Sequence, residues 1–252
     1  MNTRPKKEYG QHFLRDPNIL GVIGRLAELG PDDVVLEIGP GQGVLTRYLA
    51  ERVRRVHAVE IDRTLEPALS ELADNVDVVF GDALRLELPE DATKLVANLP
   101  YNVATPLVVE SLDGLPNVRL WCVMVQREVA ERFFAGPKTK EYGAVSVLVQ
   151  LVTERTGFHP VSRTVFRPQP NVDSALVAFR RTELPAEYGR VKEVVTAAFA
   201  HRRKTLPNSL ALAETASREQ AADALAAIGR PPETRAEALA PADFVALAKA
   251  LG

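Results

Sequence analysis

From Asp33 to Gln126, apolar β-branched runs alternate with stretches of helical spacing, a pattern that predicts βαβ units and a mostly parallel sheet covered on both faces. Strands are expected over 34–38, 55–60, 76–80, 94–97 and 120–126, with helices over 45–51, 65–73 and 105–112 between them. Two further strands, 152–157 and 175–180, would give the sheet an antiparallel finish. The pattern breaks at Thr182-Glu183-Leu184-Pro185-Ala186-Glu187, and the remainder of the chain is alanine-rich and helical. Ser217-Arg218-Glu219-Gln220 is a capping-box start for a helix running to Gly229, and Pro241 opens a last helix to Leu251. The chain therefore reads as an α/β domain over 1–184 joined to a small all-α domain over 185–252.

A length of 252 residues and an apolar fraction of 46% suit such a pair of domains. The segment Met1-Asn2-Thr3-Arg4-Pro5-Lys6-Lys7 leads into no apolar run resembling a signal sequence or the roughly 18 residues of a membrane span, so a soluble cytoplasmic protein is expected. The single cysteine, Cys122, lies inside an apolar strand and reads as a buried structural thiol. A net charge of −2 does not announce a nucleic-acid binder. The cations are clustered, however, with Arg4, Lys6, Lys7 and Arg15 near the start and His201-Arg202-Arg203-Lys204 late in the chain.

The first strand runs into Glu37-Ile38-Gly39-Pro40-Gly41-Gln42-Gly43, where glycines allow a tight turn and close approach of a nucleotide-type cofactor. The second strand ends at Glu60, an acid suited to binding ribose hydroxyls. A dinucleotide fingerprint would need glycine at position 44, which is Val44; the observed G-x-G-x-G resembles the S-adenosylmethionine loop of Rossmann-like methyltransferases. The third strand supplies Asp82, which in such enzymes accepts from the adenine amino group of the cofactor and which could equally cap a short helix.

The fourth strand leads into Asn98-Leu99-Pro100-Tyr101, which resembles the N-[LI]-P-Y loop of adenine-N6 methyltransferases. An aryl amine is a poor nucleophile because its lone pair is delocalised into the purine ring. Acceptors aimed at its N–H bonds can hold it ready for attack, and the Asn98 side-chain oxygen and the Leu99 or Pro100 carbonyl are the candidates. Proline stiffens the backbone, and Tyr101 offers a face on which the target base can stack. The competing structural reading is an Asn-Pro turn with Tyr101 as a core aromatic.

Three longer segments extend the likeness to one family. Gly10-Gln11-His12-Phe13-Leu14, Phe166-Arg167-Pro168-Gln169-Pro170-Asn171-Val172-Asp173-Ser174-Ala175 and Ala198-Phe199-Ala200-His201-Arg202-Arg203-Lys204-Thr205-Leu206-Pro207-Asn208-Ser209-Leu210 are similar to the corresponding segments of the KsgA-type ribosomal RNA adenine dimethyltransferases. The resemblance implies a class I methyltransferase domain with a mostly parallel seven-stranded sheet, S-adenosylmethionine as cofactor and no metal. It also implies that His12 and Leu14 line the cofactor pocket with Gly39, Gly41, Glu60, Asp82 and Asn98, and that Phe166 faces Tyr101 so that the two sandwich a flipped adenine. Arg202, Arg203 and Lys204 would lie on a helix facing RNA. Taken alone, Phe13 and Leu14 read as the start of a docked helix, His12 as a surface residue and Phe166 as core. Histidine at position 12 replaces the family's commoner asparagine, and the C-terminal domain is short and has few basic residues.

The substrate implied is a pair of adjacent adenines in the hairpin near the 3′ end of 16S rRNA, within an immature 30S subunit, and the enzyme is expected to be a monomer. An erythromycin-resistance-type enzyme acting on 23S rRNA shares the fold and loop, and the Arg202-Arg203-Lys204 segment argues against it. A non-catalytic RNA-binding assembly factor would not require Glu60, Asp82, Asn98 and Tyr101 together. A nicotinamide-dependent oxidoreductase is disfavoured by Val44.

Overall fold

The computed structural model describes residues 11–252; Arg4, Lys6, Lys7 and Gly10 lie outside the described residues. Two compact units are present, one holding the described residues to Ala130 with Glu154–Arg181, the other Glu131–Thr153 with Thr182–Gly252. The second unit thus takes in a stretch that the sequence pattern assigns to the first.

In chain order the elements are β1 (Phe13–Leu14), α1 (Pro17–Leu26), β2 (Val34–Ile38), α2 (Val44–Ala50), β3 (Arg55–Glu60), α3 (Glu66–Leu69), β4 (Val76–Phe80), β5 (Lys94–Asn98), α4 (Ala104–Gly114) and β6 (Leu120–Gln126). They continue with α5 (Arg127–Phe133), α6 (Ala144–Val152), β7 (Thr153–Val161), β8 (Phe166–Arg167), β9 (Ser174–Arg181), α7 (Tyr188–Ala200), α8 (Leu206–Leu212), α9 (Arg218–Ala227) and α10 (Pro241–Leu251). The seven-stranded sheet has the order β4-β3-β2-β5-β6-β9-β7, with β2 to β6 parallel and β9 antiparallel to β6.

All five residues of β2 are buried, because a parallel strand inside the sheet is covered on both faces, and it is apolar at every position but one. After β2 the chain adds β3 and β4 on one side, then crosses back to lay β5 on the other. That reversal between β2 and β5 opens a crevice at the carboxyl ends of the strands, where open α/β sheets bind ligands. On the far side, Trp121 of β6 stacks on its register partner Phe179 of β9 with ring centroids 5.4 Å apart. The Trp121 indole N–H donates to Ser111 Oγ at 2.8 Å, so the largest buried side chain leaves no donor unpaired. Cys122 is fully buried, and burial pushes its thiol up to about 12, which leaves it protonated and inert.

Two local elements differ from the sequence pattern. The helix expected over 65–73 is a 3-10 turn at Arg63–Leu65 running into the four-residue α3; Leu65 and Leu69 are its buried side chains, and the residues beyond them bury too little to sustain another turn. Phe13 and Leu14 form a strand, not a helix start, pairing antiparallel with Arg167 and Phe166; α1 begins at Pro17, where the Asp16 carboxylate accepts Asn18 N–H at 2.8 Å.

The second unit packs α6 to α10 around Val191, Val195, Leu210, Leu225, Phe244 and Leu247, all fully buried. Tyr142 donates its hydroxyl to Leu239 O at 2.8 Å inside this core. The Ser217 capping box forms as expected, with Gln220 N–H donating to Ser217 Oγ and Ser217 N–H to Gln220 Oε1. Among the described residues, no helix is long and apolar enough to cross a membrane.

Candidate active site

The carboxyl ends of β2, β3, β4 and β5 line one cavity in the first unit. At the end of β2, Gly39, Gly41 and Gly43 all have positive φ, which side chains rarely adopt. Gly41 is constrained twice over, since a β-carbon there would lie 2.9 Å from the ring of Phe13 on β1. Glu60 is buried at the end of β3 and accepts Gly41 N–H at 3.0 Å through Oε2 and Asp62 N–H at 2.9 Å through Oε1. Burial raises its carboxyl above the usual range, and these two backbone donors pull against that. Each oxygen keeps a second lone pair for a ligand hydroxyl. Asp62 is fixed in turn by Thr64 and by Gln11 Nε2 at 3.0 Å.

Glu37 also lines the cavity, a role that sequence reasoning missed although an acid inside the run Val34-Val35-Leu36-Glu37-Ile38 is its visible signal. It is 1% exposed, and burial pushes its carboxyl up to about 8, with the charge of Glu60 adding to the shift. The Thr46 hydroxyl lies near enough to oppose that shift without reaching hydrogen-bond geometry, and Glu37 Oε2 has no partner among the described residues. Asp82 lines the cavity beyond β4; its Oδ1 accepts Leu84 N–H at 3.0 Å, so it caps a turn in addition to presenting a carboxylate. No lysine or arginine is among the described residues lining this cavity, whereas Glu37, Glu60 and Asp82 are. The carboxylates of Glu60 and Asp82, the latter also 3.4 Å from Arg85 Nε, favour a cation over the pyrophosphate of a dinucleotide.

The loop after β5 meets the glycine loop directly, since a β-carbon on Gly39 would lie 3.4 Å from Pro100 Cδ. Asn98 Nδ2 donates to His12 O at 3.0 Å, and among the described residues Asn98 Oδ1 accepts no hydrogen bond. Leu99 is a core side chain whose N–H bonds Met124 O at 3.1 Å, tying the loop to β6. Pro100 O already accepts Val103 N–H at 3.1 Å in the turn before α4.

Tyr101 and the fully buried Ser174 share a hydroxyl hydrogen bond of 2.5 Å. Burial raises the Tyr101 phenol; Ser174 opposes the shift and Asp173 adds to it. The ring facing Tyr101 belongs to His12, with centroids 5.3 Å apart, and His12 Nδ1 donates to Pro168 O at 2.8 Å. His12 and Leu14 both line the cavity. Phe166 is placed differently from the sandwich that the resemblance implies. Its pairing with Leu14 across β1 and β8 turns it into the core, where it is 4% exposed and makes no ring contact with Tyr101 among the described residues.

In the second unit, Arg202, Arg203 and Lys204 sit in the turn between α7 and α8, which corrects their expected place on a helix. α7 stops at Ala200 because Ser209 Oγ takes His201 N–H at 3.3 Å and donates to Ala197 O at 2.7 Å. All three cations are exposed, and Arg202 alone of them donates to Tyr142 O, at 2.9 Å, among the described residues. Arg202 also shares a surface cleft with Lys138, Lys140 and Arg235, cations too scattered along the chain to form a visible run, and with the acids Glu233 and Glu237.

Comparison with known proteins leads to the same chemistry. The family described as "Ribosomal RNA adenine dimethylase" matches residues 2–251. A "Ribosomal RNA small subunit methyltransferase A" from Rubrobacter xylanophilus is 49% identical over 97% of this chain and 94% of its own length. Another of that name from Acidothermus cellulolyticus is 45% identical over 98% of this chain and 89% of its own. Among solved structures, a dimethyladenosine transferase from Plasmodium falciparum superposes with a TM-score of 0.77 at 26% identity, covering 94% of this chain and 96% of that one. The 23S rRNA methyltransferase ErmE gives 0.66 at 31% identity, covering 95% and 99%.

Proposed function

The chain belongs to the ribosomal RNA adenine dimethylase family, and on that premise we propose that it dimethylates the N6 amines of two adjacent adenosines in the 3′-terminal hairpin of 16S rRNA within an immature 30S subunit. The observation that carries this reading is the contact of the Asn98-Leu99-Pro100-Tyr101 loop with the glycine loop, at one edge of a cavity lined by acids and free of lysine and arginine among the described residues.

The lining fits S-adenosylmethionine: a glycine cradle admits a ligand close to the backbone, Glu60 would offer lone pairs to ribose hydroxyls, and Asp82 would accept from the adenine amino group. His12, Leu14 and Asn98 complete the walls. When bound, that cofactor supplies a methyl group on a positively charged sulfur. Asn98 Oδ1, left open because Nδ2 is held by His12, accepts one N–H of the target amine. Leu99 O or Pro100 O accepts the other, Pro100 O keeping one lone pair beside its bond from Val103 N–H. Tyr101 stacks the base, and such a contact contributes about 1–3 kcal/mol. The product ammonium loses its proton to water, so no general base is needed before attack.

Arg203 and Lys204, with the cleft of Lys138, Lys140, Arg202 and Arg235, would contact rRNA phosphates. On the same reading the enzyme works in the cytoplasm, where small subunits assemble, and as a monomer. The test is incubation with labelled S-adenosylmethionine and either undermethylated 30S subunits or naked 23S rRNA, with nucleoside analysis of the product. Dimethyladenosine in 16S rRNA is expected; label confined to 23S rRNA, or absent from both, overturns the proposal.

A further inference from the structure

We propose that Glu37 is the counter-charge of the cationic cofactor and that it acquires its charge on binding, so that each S-adenosylmethionine bound drives one proton from the Glu37 carboxyl into solvent. This inference rests on the cofactor reading given above.

Glu37 lines the cavity, is 1% exposed, and has in Oε2 a buried oxygen with no hydrogen-bond partner among the described residues. A polar atom stranded in this way in a native core calls for a ligand or a proton to satisfy it. Among the described residues, the groups facing it offer no positive charge. α2 contributes the Thr46 hydroxyl and β3 the carboxylate of Glu60, while the strand β5 beside β2 is apolar and buried over Leu95, Val96 and Ala97. Further along the same cavity stand Asp82 and His12. In the free protein, burial and Glu60 therefore keep the carboxyl protonated up to about pH 8.

A ligand carrying a sulfonium and an ammonium reverses both influences, since an opposite charge within a few ångströms favours the ionised acid. The O–H bond of Glu37 breaks, the proton goes to buffer, and the carboxylate stays against the ligand cation. Neutral Glu37 thus avoids an uncompensated buried charge in the empty site, and the charge appears only with its partner.

Calorimetric titration of the full chain with S-adenosylmethionine at pH 7, in buffers of different ionisation enthalpy, counts the protons released. About one proton per cofactor is expected from the wild type and about none from Glu37→Gln, whose side chain has the shape of the protonated acid. The wild-type affinity should also rise by up to about tenfold per pH unit as pH approaches 8 from below, and that of Glu37→Gln should not. Titration of the ligand's own ammonium is common to both proteins and cancels in the comparison. Equal proton release by both proteins, or a wild-type affinity flat between pH 6 and 7.5, overturns the inference even if the variant cannot be obtained folded. Failure to bind at any pH would instead sink the cofactor reading beneath it.

Discussion

The Glu60 carboxylate accepts the Gly41 backbone N–H at 3.0 Å, so the end of β3 holds the middle of the glycine loop in place. The same carboxylate takes Asp62 N–H through its other oxygen. A carboxamide has one acceptor atom and would turn its NH2 toward a second donor. Glu60→Gln should therefore weaken S-adenosylmethionine binding about ten- to a hundredfold, the range of one or two charge-assisted hydrogen bonds. Calorimetry checks this, and wild-type affinity in the variant would show that the loop needs no such anchor.

Asn98→Ala removes the proposed amine acceptor and the link to His12 O together. Turnover should fall by about a hundred- to a thousandfold, as for loss of one preorganised transition-state contact. Cofactor affinity should stay within about threefold, since other residues hold the cofactor. Comparing single-turnover rates with cofactor titration separates the two effects, and a parallel loss of both would recast Asn98 as mainly a cofactor ligand.

The buried Glu37 also makes stability depend on pH. Its folded value of about 8 lies above the unfolded value of 4.5, so between these the folded state holds a proton that the unfolded chain has lost. Its contribution is therefore fully present below the unfolded value, declines as pH rises, and is gone above about 8. The slope is at most about 1.4 kcal/mol per pH unit. Urea unfolding of the cofactor-free protein should find Glu37→Gln close to the wild type at pH 5 and more stable at pH 8.5; an unchanged difference across that range would contradict the assignment.

Arg202, Arg203 and Lys204 are all exposed, and Arg202 in addition bonds Tyr142 O. Replacing Arg203 or Lys204 by alanine should lower the salt dependence of rRNA binding by about one phosphate contact each, without affecting unfolding. Arg202→Ala should cost about 1–2 kcal/mol of stability as well. Filter binding at several salt concentrations, paired with urea melts, distinguishes the three; a variant pair in which Arg203→Ala melts early and Arg202→Ala does not would reverse these roles.

The strands β2 to β6 are legible because buried parallel strands appear in the sequence as apolar runs, and the glycines and acids at their ends mark the crevice. β1 and β8 are not legible: two residues carry no period, and their partners lie more than a hundred positions apart. That pairing also decides Phe166, whose place in the core agrees with the plain reading of an aromatic beside a proline-rich loop and departs from the family likeness. The turn at Arg202 is invisible for another reason. The Ser209 hydroxyl that stops the first helix lies eight residues past His201 at the end of α7 and is reached only through folding. Glu37 is in plain view as an acid, but its strength as an acid depends on how deeply its strand is covered.

His12 accepts the Asn98 amide through its carbonyl and donates from its ring to Pro168 O, and so joins three stretches of chain that are made at different times. On a translating ribosome, the glycine loop and Asn98 emerge well before Pro168 has been added. The wall that rests on Pro168 is therefore missing from every nascent chain until late in its synthesis, and the pocket is completed by one of the last pieces of its own domain to be made.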